Sequence, residues 1–140
     1  MSARIISGAI AIDTSAIVAI AKSEPEIEPF TDFFAVHDCI IGAATLVETR
    51  MVLEKHLGDD TWGFIDDILT WPRVKTADFT IDMYRTAATA FLRYGKGRDN
   101  KAKLNYGDCL SYAVAKVYGV PLLFKGSDFS HTDIEPAYRP

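Results

Sequence analysis

The sequence predicts an α/β fold in which a mainly parallel central sheet is flanked by helices on both sides, an α/β/α sandwich. Short apolar runs, too brief for helices, recur along the chain, and most are followed by a longer stretch with helical spacing. Strands separated by helices need crossover connections, which join parallel strands. The length of 140 residues fits one domain spanning residues 1–140.

The first strand-then-helix unit begins near the N-terminus. A buried strand is predicted over residues 9–13, and a helix follows from Thr14. Pro25 and Pro29 are expected to break this helix, because proline lacks the backbone N–H that a helix interior uses. A second short helix is then expected, with its buried face formed by Ile27, Phe30, Phe33 and Phe34.

The rest of the chain continues the alternation. The next predicted elements are a strand at 39–41, a helix at 45–57, a helix at 62–69, a weak strand around Val74 and a helix at 80–94. Gly58 and Pro72 end the two middle helices. A last helix at 105–118 closes on Gly119, and a buried strand follows at 121–124.

The charge balance is mildly acidic. Nineteen Asp and Glu residues against fifteen Lys and Arg give a net charge of −4, which argues against binding of nucleic acid by bulk positive charge. A single basic run stands out, formed by Arg93, Lys96, Arg98, Lys101 and Lys103. Two interpretations of this run stay open: a solvated loop, or a local guide for a polyanion.

Two observations bear on the cellular compartment. Asp13 interrupts the apolar stretch of residues 5–20, so neither a signal peptide nor a membrane anchor is expected there. Cys39 and Cys109 are far apart and form no CxxC pair, so neither a zinc site nor a disulfide framework is indicated. A reducing, cytoplasmic location is the expectation.

Acidic residues follow the predicted strands. Asp13 ends the first strand, Glu48 lies in the first turn of the helix after the second, Asp108 begins the penultimate helical run, and Asp128 follows the last strand. Ligands of open α/β sheets bind beyond the carboxyl ends of the strands, where these residues would meet. Each also has a purely structural alternative, as a helix cap, a capping box with Thr45, or a turn residue.

A cluster of carboxylates requires a cation. Two unit charges about 4 Å apart repel by roughly 4 kcal/mol at an effective dielectric near 20. Oxygen ligands select Mg²⁺ or Mn²⁺ over Zn²⁺, and His37, His56 and His131 show no ligand spacing. Such an ion activates water and offsets charge on a phosphodiester, so the sequence predicts phosphodiester hydrolysis.

Four segments in order carry a family resemblance: AIAIDTSAIVAIA, ATLVET, LNYGDCLSYAVAK and PLLFKGSDFSHTDI. Together they are similar to the ordered motifs of PIN-domain proteins, specifically the VapC-type toxins of bacterial toxin–antitoxin pairs. The resemblance implies a PIN fold, an RNA endonuclease dependent on Mg²⁺ or Mn²⁺, a usual homodimer, and neutralisation by a VapB-type antitoxin.

The resemblance also implies residue roles. The core metal-binding acids would be Asp13, Glu48 and Asp108, with Asp128 as the less uniform fourth acid. Thr14 or Ser15 would help to orient metal or water, and Asn105 would support Asp108. Lys96, Arg98, Lys101 and Lys103 are the expected RNA-binding residues, while Asp133, also a family feature, is interpreted as structural.

Two other functions are compatible with parts of the sequence. A phosphoacceptor receiver-like signalling domain has a similar size, an acidic Mg²⁺ pocket and a lysine after the last strand, here Lys125. A catalytically inactive PIN binding module would keep the fold without the chemistry, although intact acids disfavour it.

Overall fold

A computed structural model describes residues 8–140, so the first three residues of the apolar stretch at 5–20 lie outside the described part. Four strands form one sheet, in the order β3-β2-β1-β4, and every neighbouring pair is parallel. Their bounds are β1 Ile10–Ile12, β2 Cys39–Gly42, β3 Val74–Ala77 and β4 Leu122–Leu123. The parallel sheet predicted from the alternating pattern is confirmed.

Helices connect the strands and cover the sheet. They are α1 Thr14–Ala21, α2 Ile27–Val36, α3 Ala43–Leu57, α4 Asp60–Leu69, α5 Ile81–Tyr94 and α6 Tyr106–Tyr118, and a 3-10 helix spans Asp128–His131. The first helix ends at Ala21, before both prolines, and a second helix begins at Ile27, so the expected break between them is confirmed. Pro29 is the third residue of α2, where its missing N–H costs no hydrogen bond because the first turn of a helix has no acceptors for those groups.

Both faces of the sheet are buried. In β1 and the residue before it, Ala9 and Ala11 belong to the core beneath α5 and α6, whereas Ile10 and Ile12 belong to the core beneath α1 and α2. Successive side chains of a strand point to opposite faces, so a strand covered on both sides must be continuously apolar. This requirement explains why β1 carries no polar residue before Asp13.

The sequence predicted neither a membrane anchor nor a disulfide framework. No helix between residues 8 and 140 combines the length and the apolarity needed to cross a membrane. Cys39 and Cys109 are both buried free thiols. Burial raises the pKa of Cys39 to about 12 and that of Cys109 to about 11, so both are inert thiols at neutral pH.

Candidate active site

Asp13 lies where the central strand β1 ends and α1 begins. Its side chain is 4% exposed. Oδ2 accepts hydrogen bonds from the Ser15 backbone N–H at 3.0 Å and from Ser15 Oγ at 2.6 Å. Asp13 is therefore the N-cap of α1, and this cap holds its carboxylate at the carboxyl edge of the sheet.

Thr14 and Ser15 have separate roles in the structure. Ser15 Oγ contacts Asp13 and also accepts a hydrogen bond from the Lys125 backbone N–H at 3.0 Å, which ties α1 to the segment after β4. Thr14 Oγ1 donates to Glu48 Oε1 at 2.7 Å and lies 3.0 Å from Thr49 Oγ1. One hydroxyl thus orients the first acid and the other orients the second.

Glu48 projects from α3 toward α1 and α6. The sequence placed it in the first turn of its helix, but α3 begins at Ala43 with Gly42 as N-cap, so Glu48 lies in the second turn. The capping-box alternative with Thr45 is also wrong, because no side chain caps this helix. The pKa of Glu48 is raised above its ordinary value. Burial is the largest cause, the hydrogen bond from Thr14 opposes it, and the charge of Asp13 adds to it.

Gly107 makes room for Glu48, and sequence reasoning missed it. A Cβ built at this position would lie 1.8 Å from Glu48 Oε2 and 2.3 Å from Glu48 Cδ. Only glycine allows α6 to approach the carboxylate this closely. The available signal was a glycine inside the first turn of a predicted helix, which costs about 1 kcal/mol relative to alanine and therefore needs a reason.

Asp108 is the most perturbed of the acids. It is the third residue of α6 and exchanges hydrogen bonds with the N-cap Asn105: Asp108 N–H donates to Asn105 Oδ1 at 2.8 Å, and Asn105 N–H donates to Asp108 Oδ2 at 3.0 Å. Burial, together with the charges of Asp13, Asp128 and Glu48, raises the pKa of Asp108 to about 7, against the lowering effect of Asn105. The capping role and the cluster role therefore coexist in one residue.

Asp128 is the first residue of a short helix and Asp133 follows its end, and the two acids differ in their surroundings. Asp128 begins the 3-10 helix, is exposed, and acts on Asp108 through its charge. Asp133 accepts hydrogen bonds from Tyr112 Oη at 2.6 Å and Lys116 Nζ at 3.0 Å. Burial alone would raise the pKa of Asp133, but these two donors lower it, as expected for a carboxylate that fastens the C-terminal segment to α6.

The chemistry of these donors fits a hard divalent cation. Asp13, Glu48 and Asp108 offer only oxygen, and in each of them one carboxylate oxygen accepts no hydrogen bond within residues 8–140. Within the same residues, no three Asp, Glu, His or Cys side chains are already arranged as a metal-binding group. Side-chain rotation about a cation would have to complete the coordination, and relief of the repulsion that raises the Asp108 pKa would favour it.

The histidines and Lys125 have other contacts. His37 Nδ1 lies 2.8 Å from the Gly8 carbonyl oxygen, and His56 and His131 are exposed. Lys125 Nζ forms ion pairs with Glu24 at 3.3 Å and Glu26 at 3.1 Å. The lysine that gave the receiver-like alternative its support is thus engaged by the α1–α2 connection.

The basic run forms a closed loop beside α6. Backbone hydrogen bonds join Lys96 N–H to the Leu104 carbonyl and Leu104 N–H to the Tyr94 carbonyl, both at 2.8 Å. Inside the loop, Asn100 Nδ2 donates to the Gly95 carbonyl at 2.9 Å, and Asn100 Oδ1 accepts from the N–H groups of Ala102 and Lys103. The loop is therefore an ordered platform, and sequence reasoning missed the role of Asn100.

The loop presents cations to solvent. Lys96, Arg98, Lys101 and Lys103 are exposed, and none of them takes part in an ion pair within the described chain. Leu104 closes the loop immediately before the N-cap of α6, so the platform adjoins the turn that carries Asp108.

Comparison with known proteins gives consistent matches. The PIN domain family profile matches residues 10–135. Ribonuclease VapC30 of Mycobacterium tuberculosis is 42% identical over 130 residues, which cover 92% of this chain and 98% of the relative. Ribonuclease VapC of Mycolicibacterium smegmatis is 43% identical over 124 residues, covering 88% of this chain and 95% of the relative.

Solved structures are similar in fold. The Mycobacterium tuberculosis toxin VapC20, described as cleaving the sarcin-ricin loop, superposes with a TM-score of 0.72 at 18% identity, covering 89% of this chain and 95% of that chain. VapBC2 from Rickettsia felis, bound to a DNA fragment from its promoter, gives a TM-score of 0.68 at 15% identity. The match covers 91% of this chain and 96% of that chain. At these identities the likeness concerns the fold.

Proposed function

The chain belongs to the PIN-domain family and is a VapC-type ribonuclease, and we propose that it cleaves RNA with a divalent ion held by Asp13, Glu48 and Asp108. The observation that carries this proposal is the position of Glu48: Thr14, next to Asp13, donates to its Oε1 at 2.7 Å, and its Oε2 lies against Gly107, next to Asp108. The pKa of Asp108, raised to about 7 mainly by burial, agrees with this placement. Three elements distant in sequence converge on one charge cluster that a cation would relieve. The receiver-like alternative is wrong, because the family match spans residues 10–135.

In the proposed reaction the chain's residues bind, orient and attract. Asp13, Glu48 and Asp108 would hold the ion, and the exposed carboxylate of Asp128 would assist a second ion or the attacking water. Bound Mg²⁺ or Mn²⁺ supplies water activation and charge neutralisation at the phosphate. Thr14, Ser15 and Asn105 orient the acids through the hydrogen bonds described above.

The reaction is a hydrolysis. Water adds its oxygen to phosphorus, one phosphorus–oxygen bond to a ribose breaks, and the products are a phosphate monoester and a ribose hydroxyl. Lys96, Arg98, Lys101 and Lys103 attract the polyanion toward the acidic site. No side chain acts as a nucleophile, so the acids act only through the ion and the water.

We also propose the biological setting of this activity. The relatives are VapC ribonucleases, and a structural neighbour is a VapBC complex, so we infer a VapB-type antitoxin as the partner that holds the enzyme inactive. A homodimer, a single PIN domain over residues 1–140 and a cytoplasmic location complete the proposal.

The test is RNA cleavage by the purified chain without a partner, in Mg²⁺, in Mn²⁺ and in excess EDTA. Asp13→Asn and Asp108→Asn should reduce cleavage to background while thermal unfolding stays cooperative. Asp66→Asn is the matched control, because Asp66 is an exposed aspartate on α4. Cleavage by the wild type that persists in EDTA would overturn the role of the ion.

The inactive-module alternative differs in metal binding. Calorimetric titration of the wild-type chain with Mn²⁺ should show saturable binding, and the Asp108→Asn variant should not bind. Absence of saturable binding in the wild type would favour the module over the enzyme.

A further inference from the structure

An apolar groove runs between α5 and the first turn of α6. Its volume is about 560 Å³, which lies within the roughly 300–1,000 Å³ of small-molecule sites. Four aromatic side chains line it: Phe79, Tyr84, Phe91 and Tyr106. All four are exposed, Tyr84 by 59% and Tyr106 by 80%, and none of the four pairs with another aromatic ring in the described chain.

The groove adjoins both the acidic site and the basic loop. Asn105 and Tyr106 line it, while the next two residues, Gly107 and Asp108, belong to the acidic site. Lys96, at the base of the loop closed by Asn100, also lines the groove. The first turn of α6 thus carries both Tyr106 of the aromatic groove and Asp108 of the acidic site, and Lys96 adds a cation to the groove.

Gly95 fixes the position of the loop against this surface. A Cβ at Gly95 would lie 2.3 Å from Phe91 Cδ1, so the backbone at the loop's base packs directly on the ring. In the Asn105 side chain, Oδ1 accepts the hydrogen bond of the helix cap. The amide Nδ2 of the same side chain donates no hydrogen bond within residues 8–140. The groove therefore offers aromatic faces, a cation and an unused donor.

We propose that this groove binds an unpaired nucleobase of the RNA beside the cleaved bond, stacked on Tyr106 with Lys96 at its phosphate. This inference rests on the proposed function, because it supplies the substrate subsite of that same active site. Unpaired bases stack on aromatic rings, and cations beside them track the backbone. A second copy of this chain is disfavoured as occupant, because a symmetric contact through the groove would bring two unneutralised cationic loops together.

The experiment measures binding of a fluorescent single-stranded oligoadenylate by anisotropy, with Ca²⁺ replacing Mg²⁺ and the oligomer checked for integrity on a gel. A second probe has the same length and label with abasic residues throughout. Tyr106→Ala and Tyr84→Ala should weaken binding of the oligoadenylate by about tenfold each. Both variants should bind the abasic probe like the wild type, because it has no base to stack.

Three controls separate stacking from other effects. Trp62→Ala removes an aromatic ring that is 62% exposed on α4 and outside the groove, and it should leave both affinities unchanged. Tyr106→Phe keeps the ring and should keep binding. Lys96→Ala should weaken both probes and reduce the salt dependence of binding by about one phosphate contact.

Several results would overturn the proposal. Equal losses on both probes, or unchanged binding by Tyr106→Ala and Tyr84→Ala, exclude base stacking in the groove. Conversion of a dimer to a monomer by these variants in sedimentation, with RNA affinity per chain unchanged, assigns the groove to a second copy. If the wild type still cleaves RNA, these results overturn only the base-stacking groove. If the wild type neither binds nor cleaves RNA, the proposed function fails as well.

Discussion

Gly107 sets the distance between α6 and the carboxylate of Glu48. Replacing it with alanine should displace the carboxylate, because the added carbon would overlap Glu48 Oε2. We expect Gly107→Ala to weaken Mn²⁺ binding by about tenfold or more in calorimetric titration, by disturbing a ligand that must be oriented. Higher helix propensity opposes any loss of stability from the substitution.

Gly63 provides the matched comparison for this change. It lies within α4, and a Cβ there would meet nothing within 4 Å. Gly63→Ala should leave the Mn²⁺ affinity unchanged and raise the free energy of unfolding by up to about 1 kcal/mol. A Gly107→Ala protein with wild-type Mn²⁺ affinity would contradict the role assigned to Glu48.

The buried hydroxyl of Thr14 supports a second prediction. Thr14→Val keeps the shape but removes the hydrogen bond to Glu48 Oε1, so the free energy of unfolding should fall by about 1–2 kcal/mol at pH 8. Thr14→Ser keeps the donor and should retain most of the stability. Urea denaturation of the two variants checks the difference, and a loss in Thr14→Ser with none in Thr14→Val would assign the effect to packing of the methyl group.

At the scale of elements, helix starts decide where the acids lie. Gly42, rather than Thr45, begins α3, so Glu48 is one turn further along than its motif suggested. Asn105 begins α6 and places Asp108 in its first turn. Sequence patterns located the helices themselves well, but their exact starts depend on which residue can leave the helical conformation, and neighbouring strands decide that.

The loop between α5 and α6 is ordered by one side chain. Asn100→Ala removes three hydrogen bonds that span the loop, including the one to the Gly95 carbonyl. Trypsin should then cut after the exposed loop cations several times faster than in the wild type, because local opening becomes easier. Asp99→Ala, an exposed neighbour with no side-chain hydrogen bond in the described chain, should leave the cleavage rate unchanged.

One result of the proteolysis experiment would contradict the role of Asn100 in ordering the loop. If Asn100→Ala is cut at the wild-type rate while circular dichroism is unchanged, the loop is held by its backbone closure alone. The two hydrogen bonds between its ends, at Lys96 and Leu104, would then carry the order.

For the whole molecule, the acidic cluster links stability to pH. Burial and the neighbouring carboxylates raise the pKa of Asp108 to about 7 in the fold, whereas in the unfolded chain it returns to the ordinary aspartate value of 3.8. Between these values the native state binds the extra proton, so the free energy of unfolding of the metal-free protein should fall as pH rises from about 4 to 7. The raised pKa of Glu48 changes the free energy of unfolding in the same direction.

Asp133 contributes with the opposite sign and in a lower window. Its pKa is lowered, so its stabilisation is present above about pH 4 and is lost only in stronger acid. Thermal unfolding between pH 5 and 8 in EDTA therefore tests Asp108 and Glu48. Asp108→Asn should flatten the dependence, and an unchanged slope in that variant would refute the assignment.

A bound divalent ion should reverse this trend. An ion that binds only the native state stabilises it by about 2.7 kcal/mol at a concentration one hundred times its dissociation constant. The increase in Tm with Mn²⁺ should be larger at pH 8 than at pH 6, because protonated Asp108 is a poorer ligand. Equal increases at both pH values, measured by scanning calorimetry, would contradict Asp108 as a ligand.

The sequence by itself determined the local parts of this protein. Apolar runs predict the strands, helical spacing and glycine or proline stops predict the helices, and four ordered acidic motifs identify the family. These signals are local because they depend on backbone periodicity and on residues close in the chain. The cap at Asp13 is of this kind, whereas the alternative that made Asp108 the helix cap is wrong, because Asn105 occupies that position and Asp108 is the third residue of α6.

Only the tertiary structure decided which groups meet. Thr14 bonds Glu48 across 34 positions, Gly107 faces Glu48 across α3 and α6, and the aromatic groove joins α5 to α6. The pKa of Asp108 likewise depends on burial and on carboxylates from other elements. Such contacts follow from how the helices pack on the parallel sheet, and packing distances and electrostatic fields are properties of the assembled core that no local pattern contains.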